Sequence, residues 1–171
     1  MFNYFDGVFH TLAVREFMME FNKGIFAAFA LALVILTSTS APAFMGFFTG
    51  VESVKAKDGV VSIAVDEIND GKAHYFSLED QGTAIQFFVL KSSDGVIRAA
   101  FDACDVCYRE KKGYSQEGEF MNCNNCGMKF HSSRINEVSG GCNPAPLNRA
   151  TDGKTLVIKE SDILAGSGYF R

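Results

Sequence analysis

The sequence has no tryptophan, only three prolines and three histidines in 171 residues, and its formal net charge is −4. An acidic chain offers no electrostatic footprint for a phosphate backbone, which excludes nucleic-acid binding as a function class. It also has no nucleophile elbow, no phosphate-binding glycine loop and no paired general acid and base. Those absences leave no substrate-transforming site of the familiar kinds. Cysteine is missing from most of the chain, since all five lie between Cys104 and Cys142. The chemistry is therefore confined to that stretch.

Charge is missing elsewhere. No charged side chain occurs between Lys23 and Glu52, and within that gap Ile25–Leu36 is a run of twelve apolar residues. Twelve is the length of a secretory h-region. Lys23 stands before it, and Ala41-Pro42-Ala43 after it has the A-x-A form of a cleavage site. Crossing a bilayer takes about 20 apolar residues. Ile25–Phe44 meets that only if Thr37, Ser38, Thr39 and Ser40 are tolerated. The segment is thus an export signal, or an uncleaved hydrophobic helix that anchors the chain in the cell membrane. Either reading delivers the remainder to the extracytoplasmic, periplasmic side, although positive charge on the N-terminal flank is thin. Upstream, Phe5, Val8, Phe9, Leu12 and Met19 recur near helical spacing with Asp6, Arg15 and Glu16 between them. This reads as an amphipathic lead, or as untranslated sequence if translation starts at Met18 or Met19. Residues 1–43 are accordingly lead plus signal or anchor, and residues 50–171 a separate domain.

From residue 51 the pattern is that of strands. VVSIAVDEI, HYFSL, AIQFFVLKS, VIRAAFDA and TLVIKE are short β-rich runs. Asn69-Asp70-Gly71, Gln81-Gly82, Ser93-Asp94-Gly95 and Asp152-Gly153 punctuate them, as turn residues that tolerate positive φ. Val61, Ile63 and Val65 alternate with Ser62, Ala64 and Asp66. AIQFFVL is apolar on both faces, which places it centrally in a sheet. SDILAGSGYFR closes the chain as a turn or short helix. The expected fold is mainly β: a small sheet or sandwich domain.

Within it, CDVCYREKKGYSQEGEFMNCNNC holds two C-x-x-C pairs separated by fifteen residues. A C-x-x-C turn puts two sulfurs on one side, and two such turns facing each other supply four soft ligands. Cys104, Cys107, Cys123 and Cys126 are the candidate ligands. Thiolates accept zinc, iron, a [2Fe–2S] cluster or Cu(I). Gly127 follows the second pair, where a residue without Cβ lets backbone N–H groups point at sulfur. Gly113 and Gly118 make the intervening segment a hairpin or loop, and Gly140–Pro146 is a rigid loop of close approach. Cys142 is the odd thiol: a fifth ligand, a shield beside the metal, or a buried free cysteine. Disulfides suit an exported protein, but each C-x-x-C pair would close only a tiny loop, where little unfolded-state entropy is removed. A thioredoxin-like exchange pair lacks its βαβ surroundings. Haem attachment is excluded, because Tyr108 and Gly127 occupy the positions after the two pairs.

His131 has two readings. With Met121 and Met128 it serves copper, or it faces solvent while Met121, Met128, Phe130 and Ile135 are core strand residues. His74 reads as exposed on a strand. Tyr108, Tyr114 and Phe130 are expected as hydrophobic cover over the site.

Phe101-Asp102-Ala103-Cys104-Asp105-Val106-Cys107-Tyr108, Lys111-Lys112-Gly113-Tyr114, Met121-x-Cys123-x-Asn125-Cys126-Gly127, Ile135-Asn136 and Gly140-Gly141-Cys142-Asn143-Pro144-Ala145-Pro146-Leu147 together closely resemble the FtrD-like family of membrane-associated iron–sulfur proteins. The resemblance covers roughly residues 50–165. It implies an iron–sulfur cluster, [2Fe–2S] before zinc or copper, on Cys104, Cys107, Cys123 and Cys126. Tyr108, Gly127, Phe130, Gly141 and Pro144 would surround these ligands. It implies an electron carrier of bacterial iron uptake rather than an enzyme with its own substrate. Its partners would be an iron permease and a periplasmic iron-binding protein. A looser analogy is to Rieske domains, where strands carry two ligand loops and a proline loop in this order. Both Rieske histidine positions are cysteine here, and the first pair is one residue longer. A rubredoxin-like pair of knuckles is the related arrangement.

Overall fold

The computed structural model describes residues 50–171, and the expectations about residues 1–43 lie outside them. Among the described residues no helix is long and apolar enough to cross a membrane.

The organising element is the strand that is apolar on both faces. β1 (Val51–Val54), β2 (Val60–Ala64), β3 (His74–Asp80), β4 (Thr83–Lys91) and β5 (Ile97–Phe101) come first in the chain. Four of them form a sheet in the order β1-β3-β4-β5, with β4 inside it as expected. β3 and β4 pair antiparallel, with Phe76 opposite Phe87 and Leu78 opposite Ile85. Their turn is Gln81-Gly82, with φ of 48° and 80°. Two successive positive φ values give the mirror-image turn whose twist matches that of a hairpin. β4 then pairs with β5, Phe87 opposite Phe101 and Val89 opposite Ala99.

The parity of β4 separates two cores. Ile85, Phe87 and Val89 pack with Val61, Ile63, Leu156, Ile158 and Ile163 on one side of the sheet. Phe88 and Leu90 pack with Ala100, Tyr114, Met121 and Ile135 on the other. Both adjacent phenylalanines, Phe87 and Phe88, are fully buried, and each buried ring stabilises the fold by about 1.5–3 kcal/mol.

The first core is closed by a second sheet, order β2-β10-β9, where β9 is Ala150–Thr151 and β10 is Thr155–Lys159. Helix α1 (Glu160–Ala165) follows β10 directly and buries Ile163. The second core is closed by a third sheet of β6 (Tyr114–Glu117), β7 (Phe120–Cys123) and β8 (Lys129–His131). The hairpin expected between Gly113 and the second cysteine pair is β6-β7, turning at Gly118 with φ of 58°. The described chain is thus mainly β with one short helix.

Two expectations need correction. Met128 is 53% exposed rather than a core strand residue. It precedes β8 and its carbonyl accepts the Cys123 N–H at 2.9 Å, so its backbone serves the cysteine turn while its side chain points outward. His74 is only half exposed, because its Nε2 sits 2.8 Å from Asp70 Oδ1.

Candidate metal centre

Three loops deliver the five thiols. The first leaves the end of β5. Cys104 is buried, and the N–H of Cys107 donates to its Sγ at 3.2 Å. The Tyr108 N–H returns to the Cys104 carbonyl at 3.2 Å, and the turn through Tyr108–Glu110 ends on Lys111 in the left-handed region. The second loop leaves β7 at buried Cys123. Its Gly127 has φ of 73° and donates to the Cys123 carbonyl at 2.8 Å, the left-handed turn expected of that glycine. Cys126, between them, is exposed.

These two loops are fastened together. Asn124 N–H donates to the Gly113 carbonyl at 3.0 Å, its Nδ2 donates to the Lys112 carbonyl at 2.9 Å, and Lys112 Nζ donates to Asn125 Oδ1 at 3.1 Å. The third loop carries Cys142. Its base is bonded to the chain on either side of Asp102: Phe101 N–H donates to Ala145 O at 2.8 Å, and Ala145 N–H donates to Ala103 O at 2.9 Å. Pro144 and Ala145 are buried at that base. The Tyr114 hydroxyl donates to the Cys142 carbonyl at 2.6 Å.

All five cysteines are free thiols. Cys104, Cys107 and Cys142 form one group whose sulfurs lie within 4.8 Å of one another, and Cys107, Cys123 and Cys126 form another. Cys107 is common to both. Cys107 Sγ and Cys142 Sγ are 3.8 Å apart. Through Cys107 the two groups together take in all five thiols.

Proton affinities within the group are pulled in opposite directions. Burial pushes the Cys104 thiol up, but the Tyr114 hydroxyl beside it and the N–H groups of Cys107 and Val106 outweigh burial and leave it lowered. The Met128 N–H holds Cys126 below an ordinary thiol. Burial drives Cys123 up to about 11. The neighbouring Cys126 sulfur and burial raise Cys142 to about 12. Thiolates this close repel one another, and a bound cation is what lets several ionise together. Soft sulfur donors, converging and supported by backbone N–H groups, suit iron or an iron–sulfur cluster. The residues fit such a group.

The other expected neighbours divide. Gly141, at the tip of the third loop, has φ of 63°. Phe130 packs edge-on to Tyr114 with ring centres 6.4 Å apart, which covers the thiols on the side of the second core. Tyr108 instead leans on Tyr169 at 5.7 Å and borders the first core. His131 lies outside both thiol groups. Its Nδ1 is 2.8 Å from Ser133 Oγ, and its Nε2 is 3.3 Å from Glu119.

Two supporting residues were overlooked by sequence reasoning, although both sit in the quoted motif. Half-buried Asp102 accepts the Tyr114 N–H at 2.7 Å, and desolvation raises its carboxyl to about 6 against that bond. Asn136, with φ of 68°, accepts the Ala99 N–H at 3.1 Å and returns a bond to the Ala99 carbonyl at 2.7 Å, acting as a substitute strand on β5. A cavity of about 230 Å³ reaches Cys104, Cys107 and Cys123, with Asp102, Lys111 and Lys112 on its wall.

Gly113 gives a direct check of the Asp102 contact. Its φ is 62°, and an added Cβ would collide with the Asp102 carboxylate. Gly118 has a similar φ of 58° with open space around it. Gly118→Ala should therefore show backbone strain alone, about 1–2 kcal/mol. Gly113→Ala should cost about 1–3 kcal/mol more through overpacking and should weaken metal retention. Thermal melts of both variants with metal content measured alongside decide this, and equal costs would count against the contact.

No curated protein matches the sequence at a significant level. Among solved structures, the chain is similar to the quaternary ammonium Rieske monooxygenase CntA, solved in complex with the inhibitor MMV12. The identity is 14%, the TM-score is 0.38, and the match covers 58% of this chain and 30% of that one. The likeness spans less than a third of that enzyme and is too slight to carry its activity over. The family described as membrane iron-sulfur containing protein FtrD-like matches residues 68–170, a span that includes all five cysteines. This protein belongs to the FtrD-like family of membrane iron–sulfur proteins.

Proposed function

We propose that this protein is a membrane-associated, extracytoplasmic electron carrier of a bacterial iron-uptake system. It would hold a [2Fe–2S] cluster on Cys104, Cys107, Cys123 and Cys126. An iron permease and a periplasmic iron-binding protein would be its partners. The observation that supports this most is the convergence of free thiols from both C-x-x-C turns in a chain of an iron–sulfur family. When bound, such a cluster supplies a one-electron donor and acceptor.

The chain's own residues do the rest. Cys104 and Cys123 are buried, and Phe130 and Tyr114 shield that side from water. N–H groups of Cys107 and Val106 at Cys104, and of Asn125 and Cys126 at Cys123, stabilise negative charge on sulfur. Cys126 is exposed, with exposed Val106 and Met128 at the two turns, so a partner can approach closely.

A zinc-stapled binding module is the competing reading, and colour separates the two. Protein isolated anaerobically should contain iron and acid-labile sulfide and absorb in the visible. Colourless protein with one zinc per chain overturns the proposal.

A further inference from the structure

A single four-thiolate site needs four sulfurs, yet five lie in two groups of three that share Cys107. The fifth is no bystander. Two sulfurs on one tetrahedral ion, each about 2.3 Å from it, lie about 3.8 Å apart. Cys107 Sγ and Cys142 Sγ are 3.8 Å apart, Cys142 also lies within 4.8 Å of the Cys104 sulfur, and Cys126 approaches Cys107 within the same distance. Cys142 is half-buried at the edge of the second core, and its sulfur lies within 4.8 Å of those of Cys104 and Cys107.

The remaining sulfurs are not equivalent. Cys104 and Cys123 are buried and Cys107 belongs to both groups, while Cys126 is the exposed one of the five. The third loop is tethered at its base through Ala145. Its tip runs through Gly140 and Gly141 with φ of 88° and 63°, and nothing lies within 4 Å of a Cβ added at Gly141.

We infer that Cys142 is a metal ligand that alternates with Cys126: Cys104, Cys107 and Cys123 hold the centre throughout, and either Cys126 or Cys142 supplies the fourth thiolate. This rests on the reading that the C-x-x-C thiols hold a metal centre. The exchange is a ligand substitution with no net electron transfer. Cys142 gives its thiol proton to water as its sulfur bonds the metal, and the departing Cys126 thiolate takes a proton from water. The site therefore has a spare ligand next to Cys107.

The test uses the full chain and three variants, Cys126→Ser, Cys142→Ser and the double substitution. Each is reconstituted anaerobically with iron and sulfide and, separately, loaded with Co(II). Metal and sulfide content and the absorption spectrum are read, with circular dichroism as the check on folding. Both single variants should bind as much metal as the wild type and keep an all-thiolate spectrum, because the other thiol takes over. The double variant should lose the metal or show an oxygen-ligated spectrum. Loss of metal or an oxygen-ligated spectrum in either single variant overturns the inference, as does a double variant indistinguishable from wild type. If the wild type takes cobalt but no iron and sulfide, the iron–sulfur reading fails and the cobalt arms still decide the exchange. A wild type that takes neither overturns both.

Discussion

Cys107→Ser should abolish metal retention, with iron and sulfide falling to background in protein that expresses and is purified without oxygen. Cys107 is the one sulfur shared by both thiol groups, so its loss leaves neither group with three thiols, and the spare thiol of Cys142 already belongs to one of the broken groups. Cys104 and Cys123 each belong to one group. Serine matches cysteine in shape but ionises far less readily, so a packing role would survive the change and a ligand role would not. Cys107→Ala should therefore behave like Cys107→Ser.

The stability consequence follows from linkage. A metal that binds only the folded state stabilises it by RT ln(1 + [L]/Kd), about 4 kcal/mol at a thousandfold excess over Kd. The wild type should melt well above Cys107→Ser when loaded, and the gap should close when a chelator strips the wild type. Wild-type iron content in Cys107→Ser would remove the basis for the whole ligand set.

Much of this site was legible because its signals are local. The two C-x-x-C turns, Gly127 and the hairpin through Gly118 are each written within a few residues. β4 was equally plain, because AIQFFVL has no polar face and only an interior strand buries both. What escaped reading depends on distant pairing. β1 is the four-residue Val-Glu-Ser-Val, placed by parallel pairing with β3, and nothing in those residues specifies that partner. The role of Cys142 stayed open in the sequence because its position is set by bonds from Ala145 to Phe101 and Ala103, some forty residues earlier. Asp102 and Asn136 stood inside the motif, but a motif shows which residue is present and not which N–H it accepts. Met128 was misplaced for a related reason. Its neighbours Met121 and Phe130 point inward, but the turn at Gly127 breaks the strand alternation that would have carried Met128 with them.

Arg98→Met should be the most damaging change away from the thiols, because one buried guanidinium serves the Ile135 carbonyl, the Ser92 hydroxyl and the exposed Asp94 carboxylate at once. The Arg98 side chain is only 4% exposed. Its Nη1 and Nη2 grip Asp94 at 2.7 and 2.8 Å, Nη1 also meets the Ser92 hydroxyl, and Nε donates to the Ile135 carbonyl at 2.9 Å. Methionine keeps the apolar stem but leaves the Ile135 carbonyl without its donor in a buried setting, which alone costs about 1–3 kcal/mol. Arg98 also holds Asp94 well below the usual carboxylate range, its hydrogen bonds being the largest cause. That contribution is therefore present above the unfolded value of 3.8 and is lost as the pH falls through the lower folded value. The gap between wild type and Arg98→Met should accordingly narrow in acid. At several degrees per kcal/mol, the melting temperature near neutral pH should fall by about 5–10 °C. Ile135 leads directly into Asn136, which zips this segment to Ala99 ahead of the Cys142 loop. Loss of the Arg98 bond should thus also loosen the third thiol loop, and metal should leave Arg98→Met faster in a chelator competition. A variant within 1 kcal/mol of wild type that releases metal at the wild-type rate would show that the arginine neither secures the second core nor positions the loop.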